Sequence, residues 1–161
     1  VHQVYRVTSP GLPLKAYADM KAFKLFLLDV GLLSCMTGLR QKTLLEGGEM
    51  FKEFKGALTE QYVMQELAVK KSIGVYYYTN ERSSAEVDFL VDDGEDIIPV
   101  EVKAETNLMA KSLKYYTEKY SPRISVRSSM ADYREEGILL NLPLYAISEL
   151  KEMTSVSQDR S

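Results

Sequence analysis

The alternation of apolar and polar residues is strongest between Ala85 and Ala104. In the segment AEVDFLV, a strand would place Val87, Phe89 and Val91 on one face and Glu86, Asp88 and Leu90 on the other. The segment IIPVEVKA repeats this two-residue period, and Asp92-Asp93-Gly94 supplies the residues of a tight turn between the two. The pattern predicts a β-hairpin on which the polar pairs of the two strands can meet.

A period of 3.6 residues predicts a long helix over Phe51–Lys71. Glu60 falls inside the apolar stripe that Ala57, Met64 and Leu67 form on this helix. A lone carboxylate on such a stripe is costly unless it has a partner. Two interpretations remain open. Glu60 extends to solvent or pairs with a lysine, or else it reaches over the sheet toward the polar residues of the hairpin.

The rest of the chain adds elements on both sides of the hairpin. Strands are predicted at Lys21–Val30, Ile73–Thr79, Pro122–Arg127 and Ile138–Leu142. Helices are predicted at Gly31–Thr37, as a short buried turn, and at Leu108–Tyr120 and Leu144–Met153. Val1–Asp19, Arg40–Glu49 and Met130–Glu136 are expected to be irregular or loop.

The order of these elements indicates a fold class. Helix, three strands, helix and strand, with additions at both ends, predict an α/β protein with a central mixed β-sheet flanked by helices. We expect an irregular lead-in over residues 1–20, one α/β domain over residues 21–153 and a disordered tail over residues 154–161.

Composition limits the chemistry open to this chain of 161 residues. A net charge of −3 and a pI of about 5.3 argue against a protein that coats DNA, although a local basic patch stays possible. One histidine, His2, and one cysteine, Cys35, exclude an internal disulfide, a His–Cys metal cluster and a Ser-His-Asp triad. Cys35 is expected to be a buried core thiol. No apolar run reaches transmembrane length, so we expect a cytoplasmic protein without membrane contact.

The hairpin is the candidate functional site. Asp88, Glu101 and Lys103 converge if the polar faces of the two strands meet. Carboxylates held close together repel each other, and a hard divalent cation relieves that repulsion. Without histidine ligands, oxygen donors favour Mg²⁺ or Mn²⁺ over zinc. A plain solvated hairpin remains the alternative, because Glu-x-Lys is common on exposed strands.

Asp88, followed after a gap by Glu101-Val102-Lys103, resembles the motif of the PD-(D/E)XK nuclease superfamily. Five segments in order, FKLFLLDVGLL, GALTEQYVMQEL, AEVDFLV, IPVEVKA and NLPLYAISEL, resemble the C-terminal domain of bacterial and archaeal AAA-type ATPases, which is known as domain of unknown function 4143. The resemblance runs from about Ala18 to Leu150. It implies a restriction-endonuclease-like core with Glu60, Asp88, Glu101 and Lys103 at the acidic and lysine positions of the superfamily.

The resemblance also implies a function. It is that of a Mg²⁺- or Mn²⁺-dependent nuclease-like domain that cleaves or binds DNA. Asp88 and Glu101, with the Val102 carbonyl, would hold the ion, Lys103 would orient a water, and Glu60 would act through water or help to place a second ion. The alternative is a catalytically idle DNA- or protein-binding accessory module of such an ATPase.

The implied partners are upstream ATPase and winged-helix domains of the same protein, DNA, and further copies of the chain as a homo-oligomer. The chain has no G-x-x-x-x-G-K-S/T loop, so we expect no nucleotide site within it.

Basic and aromatic residues follow the site in sequence, namely Lys111, Lys114, Tyr115, Lys119, Arg123 and Arg127. They would track a phosphate backbone, with Tyr115 or Tyr116 stacking on a base. The alternative is an ordinary solvated helix face, where lysine is the usual residue. The tyrosines Tyr76, Tyr77 and Tyr78 are expected to pack in the core with one ring exposed rather than to form a stacking platform.

Overall fold

The computed structural model describes residues 1–37, 49–70, 72–80, 85–104 and 110–158, with backbone only for residues 49–53 and 155–158. The described residues form eight strands: β1 (His2–Val7), β2 (Ala18–Phe26), β3 (Gly74–Thr79), β4 (Glu86–Asp92), β5 (Ile97–Val102), β6 (Ser125–Ser129), β7 (Arg134–Glu136) and β8 (Leu139–Pro143). The helices are α1 (Val30–Met36), α2 (Glu49–Val69), α3 (Lys111–Tyr120) and α4 (Leu150–Gln158). Two 3₁₀ segments lie at Leu14–Tyr17 and Leu144–Glu149.

All eight strands belong to one sheet, in the order β2-β1-β3-β4-β5-β6-β8-β7. Strands β4 and β5 form the predicted antiparallel hairpin, with Phe89 opposite Val100. Strand β6 runs parallel to both β5 and β8, and β1 runs parallel to β3, so the sheet is mixed. The predicted order of helix, three strands, helix and strand is confirmed as α2-β3-β4-β5-α3-β6. The chain is an α/β protein with a central mixed sheet flanked by helices.

Helices cover both faces of the sheet, each over its own apolar cluster. On the first face α2 contributes Val63, Met64 and Leu67 to a cluster with the inward residues of β4, β5 and β6. On the second face α3 packs Leu113 and Tyr116 over β3 and β4. Strand β5 is buried along most of its length, because it has a strand on either side and helices above and below.

The tyrosines of β3 divide between these two faces. Tyr77 and Tyr78 are buried, and Tyr76 is only partly buried. The Tyr78 ring meets the Tyr116 ring of α3 edge-on, with centroids 5.0 Å apart. The burial of Tyr77 and Tyr78 agrees with the predicted core packing, whereas no ring is exposed as predicted, because Tyr76 is partly buried.

The first residues of the chain differ from the predicted irregular lead-in. His2–Val7 forms β1, which lies between β2 and β3 and fully buries Val4 and Val7. Pro10 and Gly11, which favoured an irregular stretch, follow the strand rather than interrupt it. Its two fully buried residues pack on opposite faces of the sheet, Val4 in the first apolar cluster and Val7 in the second, so the segment shows no two-residue alternation.

Other predictions are also wrong. Arg134–Glu136, predicted as loop, pairs with β8 as the last strand of the sheet. Thr154 is buried and α4 continues to Gln158, so the expected disordered tail is helical over these residues. Helix α1 buries no residue and Cys35 is exposed, because α1 packs beside α2 at the periphery.

Some predictions fall outside the described residues. They are most of the connector at Arg40–Glu49, the start of the helix at Leu108 and the last residues of the tail. No helix in the described part of the chain has both the length and the apolar character needed to cross a bilayer.

Candidate carboxylate and lysine site

Strand β4 carries one residue more than β3 at the point where Asp88 lies. The register is given by two pairs, Tyr76 with Leu90 and Tyr78 with Val87. Between these pairs β3 has one residue, whereas β4 has two, Asp88 and Phe89. This mismatch is a β-bulge, which bends a strand and re-aims the side chains beside it.

The bulge overturns the predicted alternation along β4. Val87 and Leu90 pack together in the cluster under α3, whereas Phe89 packs in the cluster under α2. Strict alternation would have placed Val87 with Phe89, and Leu90 with Asp88. The predicted shared face of Asp88 and Leu90 is therefore wrong, because the extra residue reverses the alternation between Val87 and Leu90.

Asp88 links the two strands of the hairpin beyond the end of their ladder. Its Oδ2 accepts a hydrogen bond from the backbone N–H of Val102 at 2.7 Å. Burial raises the pKa of Asp88, while the Val102 N–H, Lys24 and Lys103 act in the opposite direction. The structure thus brings Asp88 and Lys103 close enough for their charges to interact.

Glu101 is a buried carboxylate with 6% of its surface exposed. Its Oε1 accepts a hydrogen bond from Lys103 Nζ at 2.7 Å, and its Oε2 is buried with no hydrogen-bond partner among the described residues. Burial, and next the charge of Asp88, raise the pKa of Glu101 to about 7. A buried polar atom without a partner costs about 1–3 kcal/mol, so Oε2 marks a place for a proton or a cation.

Glu60 joins this group from α2, beside a lysine that the sequence analysis missed. Lys24 of β2 places its Nζ 2.5 Å from Glu86 Oε1 and 3.7 Å from Glu60 Oε2. Burial and the charge of Asp88 raise the pKa of Glu60, while Lys24 opposes them. Both interpretations of Glu60 therefore describe part of its surroundings, since it faces a lysine and also interacts with Asp88.

One signal in the sequence pointed to Lys24. It is a charged residue within the apolar run FKLFLLDV, and such a residue needs a partner if it faces inward. In the structure Lys24 is partly buried while its neighbours Phe23 and Leu25 are exposed, the reverse of the usual strand pattern. Its partners Glu60 and Glu86 lie far along the chain, so the run alone does not identify them.

The donor set of this site fits a hard cation that has few protein ligands. Asp88, Glu101 and the Val102 carbonyl offer oxygen donors, and Glu101 Oε2 lacks a partner in the described part of the chain. Within the described ranges, no three His, Cys, Asp or Glu side chains are grouped so as to hold one ion. Mg²⁺ suits such a site, because proteins bind it through one or two carboxylates while it keeps several waters.

The six basic and aromatic residues predicted to contact nucleic acid have different surroundings. Four lie on the exposed side of α3, namely Lys111, Lys114, Tyr115 and Lys119. Arg123 donates to Asp96 Oδ2 at 2.9 Å, beside the hairpin turn. Arg127 is buried and donates through Nε to Asn141 Oδ1 at 3.1 Å. The exposed part of the predicted set therefore consists mainly of α3.

Fold and site together define an α/β domain in which carboxylates and lysines cluster at a bulged hairpin. A family model, that of a domain of unknown function (DUF4143), matches residues 55–147, which is more than half of the chain. The chain belongs to the DUF4143 family. The matched segment contains Glu60, Asp88, Glu101 and Lys103 but not Lys24. No curated protein and no solved structure matches the chain significantly.

Proposed function

We propose that this domain is a metal-dependent nuclease that hydrolyses phosphodiester bonds in DNA. The observation that carries the proposal is the buried Glu101 Oε2, which has no partner in the described part of the chain. It lies on a carboxylate that interacts with Asp88 and is bonded to Lys103. Clusters of buried carboxylates with raised pKa values are typical of functional sites, because the burial that raises the pKa also costs folding free energy.

Asp88 and Glu101, together with the Val102 carbonyl, are the groups that would hold one Mg²⁺ or Mn²⁺. When bound, such an ion lowers the pKa of a water and polarises a phosphoryl oxygen. Binding the ion would relieve the repulsion between the two carboxylates, which contributes to the raised pKa of Glu101.

Lys103 is the group that we expect to contact the reacting phosphate. Its Nζ is held by Glu101 Oε1 at 2.7 Å, yet 29% of the side chain is exposed, so it can also donate to a water or to substrate. In hydrolysis a water oxygen bonds to phosphorus, the bond to the leaving alkoxide breaks, and the proton from water ends on that alkoxide. Lys103 orients the water and stabilises the charge that builds on the phosphoryl oxygens.

We further propose that the domain has a restriction-endonuclease-like core and forms the C-terminal part of an AAA-type ATPase. The order α2-β3-β4-β5-α3-β6 supports the first point. The placement of Glu60 on a helix, and of Asp88, Glu101 and Lys103 on and beside a hairpin, supports it as well. The second point rests on the resemblance of five ordered segments to that ATPase domain.

Cleavage of DNA by the purified chain tests the proposal. We expect cleavage in Mg²⁺ or Mn²⁺ and none in a chelator. Asp88→Ala and Lys103→Ala should each lower the rate by about a hundredfold or more, with unchanged circular dichroism. Lys70→Ala is the matched control. Lys70, which follows the last residue of α2, also pairs with one carboxylate, that of Glu152. Activity that survives both site variants would belong to a contaminant and would overturn the proposal.

DNA is expected to lie along the exposed side of α3. Each phosphate contact adds about 0.9 to the slope of log affinity against log salt, so Lys111→Ala/Lys114→Ala should reduce that slope by about 1.8. Fluorescence anisotropy with a labelled duplex at several salt concentrations measures it. A flat salt response in the unchanged chain would remove α3 from DNA binding.

The second candidate function is an accessory module whose site is idle. The net charge of −3 favours the protein-binding form of this module, because repulsion from DNA opposes DNA binding. Thermal unfolding with increasing Mg²⁺ or Mn²⁺ separates the two functions. An ion that binds only the folded chain adds about 2.7 kcal/mol of stability at a hundred times its Kd. The absence of any shift at millimolar metal would favour the idle module.

A further inference from the structure

The ammonium group of Lys24 lies among the carboxylates of the site. Its Nζ lies 2.5 Å from Glu86 Oε1, 3.7 Å from Glu60 Oε2 and 5.1 Å from the centre of the Tyr77 ring. Only 25% of the Lys24 side chain is exposed. Two carboxylates and an aromatic face therefore fix the position of this ammonium.

The strand that carries Lys24 is fastened to the helix that carries Glu60. Gln61, the next residue of α2, accepts from the backbone N–H of Leu27 at 2.8 Å and donates to the Leu27 carbonyl at 2.9 Å. Gln61 is itself buried, with 2% of its surface exposed. These bonds hold the end of β2 against α2 beside the contact of Lys24 with Glu60, so the ammonium is built into the site.

Carboxylates outnumber ammonium groups among the described site residues. The carboxylates that interact there are Glu60, Glu86, Asp88 and Glu101, and the ammonium groups are Lys24 and Lys103. A divalent ion would stabilise the ionised form of the carboxylates that these two ammonium groups do not neutralise.

A second ion has no open place beside Glu60. In sites with two metals the ions lie about 3.5–4 Å apart and share the surrounding carboxylates. Here Glu60 and Glu86 already face the ammonium of Lys24, and a divalent ion brought to the same oxygens would be repelled by it. We propose that Lys24 serves as the fixed second cation of the site, so that the site takes one divalent ion instead of two. The ion count rests on the proposed function, whereas the place taken by Lys24 does not.

The number of Mn²⁺ ions bound per chain tests this role. Isothermal titration and the electron paramagnetic resonance signal of free Mn²⁺ both give that number. The unchanged chain should bind one ion, and Lys24→Gln should bind one more, because Glu60 and Glu86 lose their cation. Lys24→Arg, which keeps the charge, should bind the same number as the unchanged chain. Lys70→Gln, the matched control from the ion pair with Glu152, should also leave the number unchanged.

A second set of variants locates the added ion. Lys24→Gln/Glu60→Gln should lose the ion gained in Lys24→Gln, whereas Asp88→Asn should lose the ion of the unchanged chain. Lys24→Met, with a side chain of similar length, carries the same expectations as Lys24→Gln if the latter does not fold by circular dichroism. A neutral variant that gains no ion, or an unchanged chain that binds two, overturns the role of Lys24.

The same titrations separate this inference from the proposed function. If the unchanged chain binds no ion while Lys24→Gln binds one, the metal-dependent function fails and Lys24 still occupies a cation position. If the unchanged chain binds one ion at Asp88 and Lys24→Gln also binds only one, the proposed metal site stands and the role of Lys24 is overturned.

Discussion

At the scale of single residues, the properties of the site depend on how Glu101 is held. Burial and Asp88 raise the pKa of Glu101 to about 7, from an ordinary value of 4.5. Between these values the folded protein keeps a proton that the unfolded chain releases. The free energy of unfolding therefore falls as pH rises from about 4.5 to about 7. Glu60 and Asp88, whose pKa values are also raised, contribute in the same direction.

Glu101→Gln should flatten this dependence on pH. The amide has nearly the same shape and does not ionise, so only the unchanged chain loses stability from this residue, by up to about 3 kcal/mol. Urea unfolding followed by circular dichroism, between about pH 5 and about pH 8, measures the loss. Identical slopes for the two proteins would mean that Glu101 ionises as easily in the folded chain as in the unfolded one.

Three residues of the site could be predicted because they are neighbours in a local structure. Asp88, Glu101 and Lys103 lie on or just after two consecutive strands of a hairpin, which alternation indicates, whereas the bulge that re-aims Asp88 is not indicated. Lys24 could not be predicted in the same way. It meets its partners only after β2, α2 and β4 have packed together, and no local pattern encodes that packing.

At the scale of elements, the attachment of α2 to the end of β2 keeps Glu60 and Lys24 in register. Gln61 provides two hydrogen bonds to Leu27, and Gln65, one turn later, accepts from the backbone N–H of Val30 at 3.1 Å. These bonds satisfy backbone groups in the segment between β2 and α1. The helix and the strand are therefore positioned by side chains that reach the main chain.

Gln61→Leu should destabilise the protein more than Gln65→Leu. The first change leaves both backbone groups of Leu27, which are partly buried, without their side-chain partners, and should cost about 2–4 kcal/mol. The second removes one such bond at a partly buried position and should cost less. Differential scanning calorimetry of both variants measures the loss as a lower Tm, by about 2–4 °C per kcal/mol. Equal losses of stability would show that the two bonds to Leu27 contribute no more than the single bond to Val30.

The elements themselves were easier to predict than their irregularities. The hairpin and α2 follow from periods of two and 3.6 residues that persist over many positions. The bulge in β4 has no such mark, because Asp88 and Phe89 continue an apparently regular alternation in the sequence. Only the pairing with β3, the preceding strand, shows that one of them is extra.

At the scale of the whole molecule, the sheet extends beyond the segment that the family model matches. Residues 55–147 include neither β1 nor β2, which complete the sheet beyond β3. Without β1 and β2, one edge of β3 would expose unpaired backbone groups, and the site would lose Lys24. The order of the elements indicated the fold class correctly. The place of β1 between β2 and β3 depends on pairing between distant segments and could not be predicted.

A fragment limited to residues 55–147 should therefore aggregate or melt without a cooperative transition. The exposed edge of β3 offers a template for pairing with other copies, and the first apolar cluster loses Val4, Phe26 and Leu150. Size-exclusion chromatography and thermal circular dichroism, with the whole chain as the control, measure this. A fragment that melts as sharply and at the same temperature as the whole chain would show that β1 and β2 are dispensable.

The added residue in β4 affects any attempt to raise the thermal stability of this protein. Omitting Asp88 altogether would let Val87, Phe89 and Leu90 match the three tyrosines opposite them one for one. The shortened strand would be straighter, and selection for thermal stability alone would favour the deletion. The deletion would remove the carboxylate that the β-bulge directs toward the neighbouring strand. Thermal stability and the chemistry of the site therefore favour opposite changes at this position.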